Sequence, residues 1–172
     1  VTMDGARRAI PALQELLRVA RVRPAVHEFE LHPLLQNNDM VAFCEAEGIQ
    51  ILSYSPLGAP HKVETYLAGT ERLAGMAPAA ERRSQLSVLS HPGVLAVAAH
   101  RGVSAAQLVL RWHRQRGFVA IPKSWDTDHI AANAPGRIEG LALRDEEMAV
   151  LNAMDAGVRT VVLYHKGVRG EE

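Results

Sequence analysis

The chain holds one cysteine in 172 residues, Cys44. That excludes an internal disulfide framework and fits a reducing compartment. Beside Phe43, its thiol is expected to act as a small buried apolar group. An excess of charge is lacking too. The 19 basic and 19 acidic residues cancel, so nothing in the total points to a nucleic acid or a membrane surface as partner. No apolar run approaches the roughly 20 residues that span a bilayer. Residues 1–8 show no charged-then-apolar secretory pattern. A cytoplasmic protein is the expectation. Also missing are a Gly-rich phosphate loop, a serine-elbow motif, an internal repeat and any low-complexity tract. His27 and His32 point to opposite faces of an extended segment, so no shared metal is expected.

What is present reads as alternating strands and helices around one core, which 172 residues are long enough to build. Ile10, Leu13, Leu16, Leu17 and Ala20 recur at helical spacing and predict an amphipathic helix over 9–20. The segment 25–31 reads as a strand, with Phe29 and Leu31 on one face and Glu28 and Glu30 on the other. Asn38 or Asp39 caps the next helix, which Gly48 closes, and 49–54 is a second strand. Residues 55–83 form a long irregular stretch with a modest helical pattern near 77–83. His91-Pro92 opens a helix to about His100. Ser104 caps another, with Leu108, Leu110 and Trp112 on its apolar face. Arg111, Arg114 and Arg116 are expected to spread around its solvent face. Residues 118–121 form a third short strand stopped by Pro122. Helices near 127–134 and 145–155 complete the pattern, the last opened by Asp145, Glu146 and Glu147 as the helix dipole favours. Such alternation implies a parallel sheet with helices outside. Three strands are too few, and 172 residues too short, for a closed eight-stranded α/β barrel, which takes about 250.

One corner already suggests chemistry. Lys123 and Ser124 end a strand just before a helix starting near Asp126 or Thr127. A cation, a hydroxyl and free helix-terminal N–H groups would converge there and suit a phosphate; the alternative is a solvated surface lysine. Tyr54 ends a strand too, where a tyrosine packed on the rim is the plainer reading.

Four local patterns, in order, resemble the aldo-keto reductase family, a TIM-barrel group that uses NADPH. Pro24-Ala25-Val26-His27-Glu28-Phe29-Glu30-Leu31-His32-Pro33 is similar to the family's sixth strand. Gly48-Ile49 leading to Tyr54-Ser55-Pro56-Leu57-Gly58 is similar to the seventh strand and its exit loop. Ser104-Ala105-Ala106-Gln107-Leu108-Val109-Leu110-Arg111-Trp112 is similar to the helix before the last strand. Ile121-Pro122-Lys123-Ser124, with Ile130 and Asn133, is similar to the eighth strand and the helix after it. The resemblance runs from Leu13 to about Arg159. It implies an α/β fold: the C-terminal half of a TIM (β/α)8 barrel, with about three parallel strands and outer helices, residues 1–172 forming the C-terminal portion of the domain.

The resemblance also implies a cofactor half-site made of Glu28, Tyr54, Ser55, Leu57, Lys123, Ser124, His129 and Asn133. Tyr54 would stack on the nicotinamide, Ser55 and Leu57 would line the pyrophosphate, Lys123 and Ser124 would hold the ribose phosphate, and Asn133 would reach the adenine. Several residues depart from the family. Glu28 stands where a glutamine is usual, and a carboxylate keeps the acceptor but loses the donor. His129 replaces an arginine and lacks its bidentate fork. Ala132 replaces a glutamate and Ala59 a serine, while Asp126 and Asp128 add negative charge to the same corner. NADP(H) is therefore the expected cofactor, with a weaker preference for NADPH than the family shows.

No catalytic residue is assigned. The family's acid tyrosine, its lysine, its aspartate and its substrate-orienting histidine lie on earlier strands than those found here. The serine-asparagine pair for the nicotinamide amide has no clear match either; residues 1–3 are one candidate remnant and Ala6-Arg7 another. His32, followed by Pro33, reads as structural rather than as a substitute acid. Two functions follow from the resemblance. One is NADP(H)-dependent reduction of aldehydes or ketones, with this chain supplying the cofactor half. The other is a degenerate, inactive member serving as a binding or scaffold subunit. The substrate stays unnamed, because the segments 59–85 and 161–172 match no known member. A half barrel leaves sheet edges and an apolar inner face uncovered, so a homo-oligomer or a complementary half-barrel chain is the expected partner, beside a small carbonyl substrate.

Overall fold

A computed structural model of the chain describes residues 4–59 and 86–161. The helical pattern near 77–83, the possible remnant at 1–3 and the tail beyond 161 lie outside the described residues. Helix α1 (Asp4–Val19) begins earlier than the expected 9–20 and carries Pro11 inside it. Then come β1 (Val26–Glu30), α2 (Asn38–Ala46) and β2 (Gln50–Tyr54). After a 3-10 turn at Val88–Ser90 follow α3 (Pro92–Arg101), α4 (Ala105–Gln115), β3 (Val119–Ala120), α5 (Thr127–Ala132), α6 (Pro135–Ile138) and α7 (Asp145–Asn152).

The three strands are parallel, in the order β1-β2-β3. Val26 pairs with Gln50 and Glu30 with Tyr54, while Leu52 meets Val119 and Ser53 meets Ala120. Strand β3 is shorter than the expected 118–121. Phe118 is drawn into the core and Pro122 has no N–H to continue the ladder, although Ile121 N–H still donates to Ser53 O (3.1 Å). The helix expected near 127–134 ends at Ala132, because the residue before Pro135 is turned away from the helical region. Pro135 opens a further short helix, α6, that the expected pattern does not include.

Period-two alternation gives the sheet two unlike faces. On the helix side Ile51 and Ser53 are buried. Leu31, Leu34, Leu108, Trp112 and Leu151 fill the core around them. The Trp112 indole N–H finds its acceptor at Asn152 Oδ1 (2.8 Å). Cys44 is buried in this core, as expected. On the other side Val26 is 49% exposed and Val119 and Ile121 are each 43% exposed. An apolar sheet face open to this degree is normally a face that something covers.

The caps follow their sequence signals with one exception. Ser104 and Gln107 form a full capping box on α4, and His91 accepts from Gly93 N–H with Pro92 at the first position of α3. Helix α2, however, is preceded by Asn37 rather than capped by Asn38 or Asp39. Asn37 sits at φ 49° and makes no side-chain cap; its amide donates instead to Glu30 O (2.8 Å). Asparagine tolerates the left-handed backbone there, and the carbonyl at the end of β1 takes its N–H.

Two other expectations are corrected by packing. Arg116 does not sit on a solvent face. Its guanidinium lies 4.9 Å from the ring centroids of both Trp112 and Phe118 and donates to Gln36 Oε1 (2.8 Å). Glu30, on the polar face of its strand, is fully buried. Residues 159–161 cross over it and supply the hydrogen bonds that a buried carboxylate needs.

Candidate functional site

Parallel strands deliver their C-terminal ends to one edge of the sheet, and loops from that edge are where α/β sheets place ligands. Here the loops leaving β2 and β3 lie side by side. Ser55 turns the chain out of β2 in the left-handed region, at φ 47°, a conformation costly for a residue with a Cβ. Gly58 N–H closes the turn onto Ser55 O (2.9 Å), and Gly58 itself sits at φ 65°. A Cβ on Gly58 would come within 3.0 Å of Val88 Cγ2. A side chain is therefore strained there on two counts.

Between these loops runs a groove of about 730 Å³. Its walls are the β2 exit loop from Ser55 to Ala59, the first turn of α4, and the β3 exit with α5. Six of the eight candidate residues line it: Ser55, Leu57, Lys123, Ser124, His129 and Asn133. Gln107 braces the far wall, its amide donating to Ala132 O (3.1 Å). Glu28 and Tyr54 are not among the lining residues. They lie on the open face of the sheet, where Glu28 is opposite Leu52 and Tyr54 is opposite Glu30. A smaller cleft of about 330 Å³ along β3 includes only Asn133 of the candidates.

The groove is not uniform. At the β2 side it offers Ser55 and the apolar Leu57 with close-packed backbone. The opposite corner differs from what the sequence suggested, because two N–H groups of the first turn of α5 are already taken. Asp126 Oδ1 accepts from both Asp128 N–H and His129 N–H at 2.9 Å. The backbone bond from His129 holds the Asp126 carboxyl below its usual range, against the small opposing effect of desolvation. Asp126 N–H in turn donates to Ser124 Oγ (3.1 Å). Lys123 is engaged as well, its ammonium 4.1 Å from the ring centroid of Trp125. Trp125 is 88% exposed and lines the groove. Sequence reading passed over it, and its only signal was a large aromatic between a Lys-Ser pair and a helix cap.

At the mouth of β1 a second polar cluster stands behind Tyr54. Glu30 Oε1 accepts from Thr160 N–H (2.6 Å), Thr160 Oγ1 (2.7 Å) and Val161 N–H (3.1 Å), with His32 Nε2 at 3.3 Å. Arg159 Nη1 is 3.6 Å from Oε2. Burial opposes ionisation of Glu30, but the bonds from His32 and Thr160 outweigh it, and its carboxyl titrates below the usual range. Burial, reinforced by the Glu30 carboxylate, pushes the Tyr54 phenol above its usual range. His32 is fully buried beside Glu30, in keeping with the structural role expected from His32-Pro33. Among the described residues no group of three or more metal-ligating side chains occurs.

The comparisons with known proteins agree with this topology. The model of the aldo/keto reductase family matches residues 8–156. The chain belongs to that family. An aldo/keto reductase of Synechocystis sp. is 36% identical over 153 residues, covering 89% of this chain and 42% of the relative. Glycerol 2-dehydrogenase (NADP(+)) of Hypocrea jecorina is 35% identical over 165 residues, covering 94% of this chain and 44% of that protein. Among solved structures, the aldo-keto reductase of the silkworm Bombyx mori superposes with a TM-score of 0.66 at 30% identity, over 89% of this chain and 41% of that one. The same aldo-keto reductase complexed with NADPH gives 0.67 at 29% identity, over 89% and 42%. The chain thus spans about two fifths of the length of these relatives. Its three-stranded parallel sheet with outer helices is part of an aldo-keto reductase barrel.

Proposed function

We propose that the groove between the β2 and β3 exit loops binds a nicotinamide dinucleotide, and that the chain forms the C-terminal, cofactor-holding portion of an NADP(H)-dependent reductase of aldehydes and ketones. The observation that carries the reading is the convergence of Ser55, Leu57, Lys123, Ser124, His129 and Asn133 on one groove, at the edge where such sheets take ligands. The NADPH complex of a relative supports it. When bound, the cofactor supplies hydride to a carbonyl carbon. Ser55 and Leu57 hold the pyrophosphate stretch. Tyr54 and Glu28, on the open sheet face, meet the nicotinamide end, Glu28 as an acceptor only. No residue of this chain is assigned as the donor of the proton for the product alkoxide.

The ribose-phosphate corner fits less well. With Asp126 on the N–H groups of α5 and Lys123 over Trp125, a phosphate there meets a carboxylate already in place. This supports a weaker preference for NADPH over NADH than the family shows. The open apolar face supports a partner, either a second copy or the complementary part of a barrel. We place the protein in the cytoplasm, on its single buried cysteine.

A second reading, a binding or scaffold subunit without turnover, is favoured by the same filled corner. Fluorescence titration with NADPH and with NADH, beside an assay of aldehyde-dependent NADPH oxidation, tests both. Binding of both nucleotides with similar affinity is expected. Absence of binding would overturn the cofactor reading, and a hundredfold preference for NADPH would overturn the account of the corner. Turnover favours the reductase and counts against the scaffold, whereas binding without turnover is what both a cofactor-holding portion lacking its acid and a scaffold would give.

A further inference from the structure

We propose that Thr160 is a positioning residue for the nucleotide groove, acting from outside it as a latch between the buried carboxylate of Glu30 and the loop that leaves β2. The proposal rests on the cofactor reading of the groove given above. Thr160 is buried and does not line the groove. Its hydroxyl donates to Glu30 Oε1 (2.7 Å) and accepts from Ala59 N–H (3.0 Å). One side chain therefore joins the end of β1 to the last residue of the groove's β2-side wall. Thr160 N–H and Val161 N–H, bonded to the same Oε1 at 2.6 and 3.1 Å, fix the latch from its own backbone.

The wall needs such a hold. It begins with Ser55 at φ 47°, a strained conformation that persists only where the surroundings over-determine it. At its near end the loop is tied by Gly58 N–H to Ser55 O (2.9 Å), a bond internal to the loop. The bond to Thr160 Oγ1 ties its far end to the rest of the fold. Thr160 Cγ2 also packs toward Gly58, 3.8 Å from where a Cβ would stand. Deleting the hydroxyl orphans the buried Ala59 N–H and frees the loop to leave the geometry that faces the ligand. Serine keeps the hydroxyl, whereas valine keeps the shape and removes both hydrogen bonds.

The test uses the full chain and two probes, NADPH and NADH, titrated by fluorescence well below each variant's melting midpoint. Thr160→Val is expected to weaken both about tenfold, the worth of a typical buried hydrogen bond, while Thr160→Ser stays within about twofold of the parent. A role in packing alone would give the opposite order, weakening binding in Thr160→Ser, which loses the methyl, and sparing Thr160→Val, which keeps the shape. A second measurement needs no substitution. Coupling between sites is reciprocal, so saturating nucleotide should slow hydrogen exchange at the Thr160 and Val161 amides, although neither residue lines the groove. Unchanged affinity in Thr160→Val, or unchanged exchange at those two amides under saturating nucleotide, overturns the latch. Failure of the parent chain to bind either nucleotide overturns the groove reading instead.

Discussion

Among the described residues, His113 is the group whose protonation should most change the stability of this fold. It lies in α4, fully buried against the sheet. Its Nδ1 is 2.8 Å from Val109 O, and its Nε2 is 3.0 Å from Leu31 O and 3.2 Å from Ser53 Oγ. Ser53 Oγ itself donates to Leu31 O (2.6 Å). One ring thus joins α4 to the ends of β1 and β2, from which Tyr54 and Ser55 emerge. Burial depresses its pKa from 6.5 to about 4, against two carbonyls that favour the protonated ring. The ring is neutral in the folded state above that value, and an unfolded chain binds its proton from about pH 6.5 downward. The unfolded state therefore holds more protons between those limits, and stability rises with pH across the window. The contribution is complete above about pH 6.5 and is lost as pH falls toward 4. At about 1.4 kcal/mol per unit, the loss by pH 4 is about 3 kcal/mol, a large part of a small domain's total. The assay is urea unfolding of the parent and of His113→Gln at pH 7 and pH 4. Glutamine keeps an N–H donor but does not titrate, and comparison at each pH cancels the other titrating groups, Glu30 included. The parent's advantage over His113→Gln should shrink by about 3 kcal/mol between the two pH values. An advantage of the same size at both would refute the reading of His113 as a buried neutral ring.

Three further perturbations test other parts of the account. Asp126→Asn keeps an acceptor for the α5 N–H groups and removes the charge; NADPH affinity should rise about fivefold at low salt with NADH affinity unchanged, read by the same titration. Gly58→Ala, forced to φ 65° and 3.0 Å from Val88 Cγ2, should cost about 1–2 kcal/mol in urea unfolding; a neutral result would mean that the loop relaxes freely. Size-exclusion chromatography with light scattering should find the 172-residue chain associated rather than monomeric, because Val26, Val119 and Ile121 leave the sheet's inner face apolar and open. A monodisperse monomer overturns that inference.

Most of the architecture was legible because local signals there agree with long-range packing. The alternating run at 25–31 and the β-branched, apolar run at 49–54 became β1 and β2. Ser104 and His91-Pro92 opened the helices that their chemistry predicts. Errors arose where a contact distant in sequence took over a residue's obvious local role. Glu30 alternates correctly as a polar-face residue, yet it is buried because a segment 130 residues later crosses it. Asn37 gives its amide to the end of β1 rather than capping α2. Arg116 stacks on two core aromatics instead of facing solvent. None of these partners is visible in a window of local sequence.

The candidate site divides along the same line. The six residues that line the groove sit on two strand exits and the helix following one of them, so short motifs suffice to bring them together once the strands are parallel. What local sequence cannot show is who already holds the donors. Read alone, Lys123-Ser124 before a helix suits a phosphate. Only the folded geometry places the Asp126 carboxylate on the two N–H groups that a phosphate would need, and the Lys123 ammonium over Trp125. The residue types resemble those of a phosphate corner, but Ser124 and Asp126 already bond within the loop and the Lys123 ammonium already faces Trp125. On the proposed cofactor reading, a 2′-phosphate would have to displace a carboxylate and a cation–π contact to enter, whereas the 2′-hydroxyl of NADH would displace neither. On that reading, selectivity between the two nucleotides would depend less on whether Lys123 is present than on what it and its neighbours already contact.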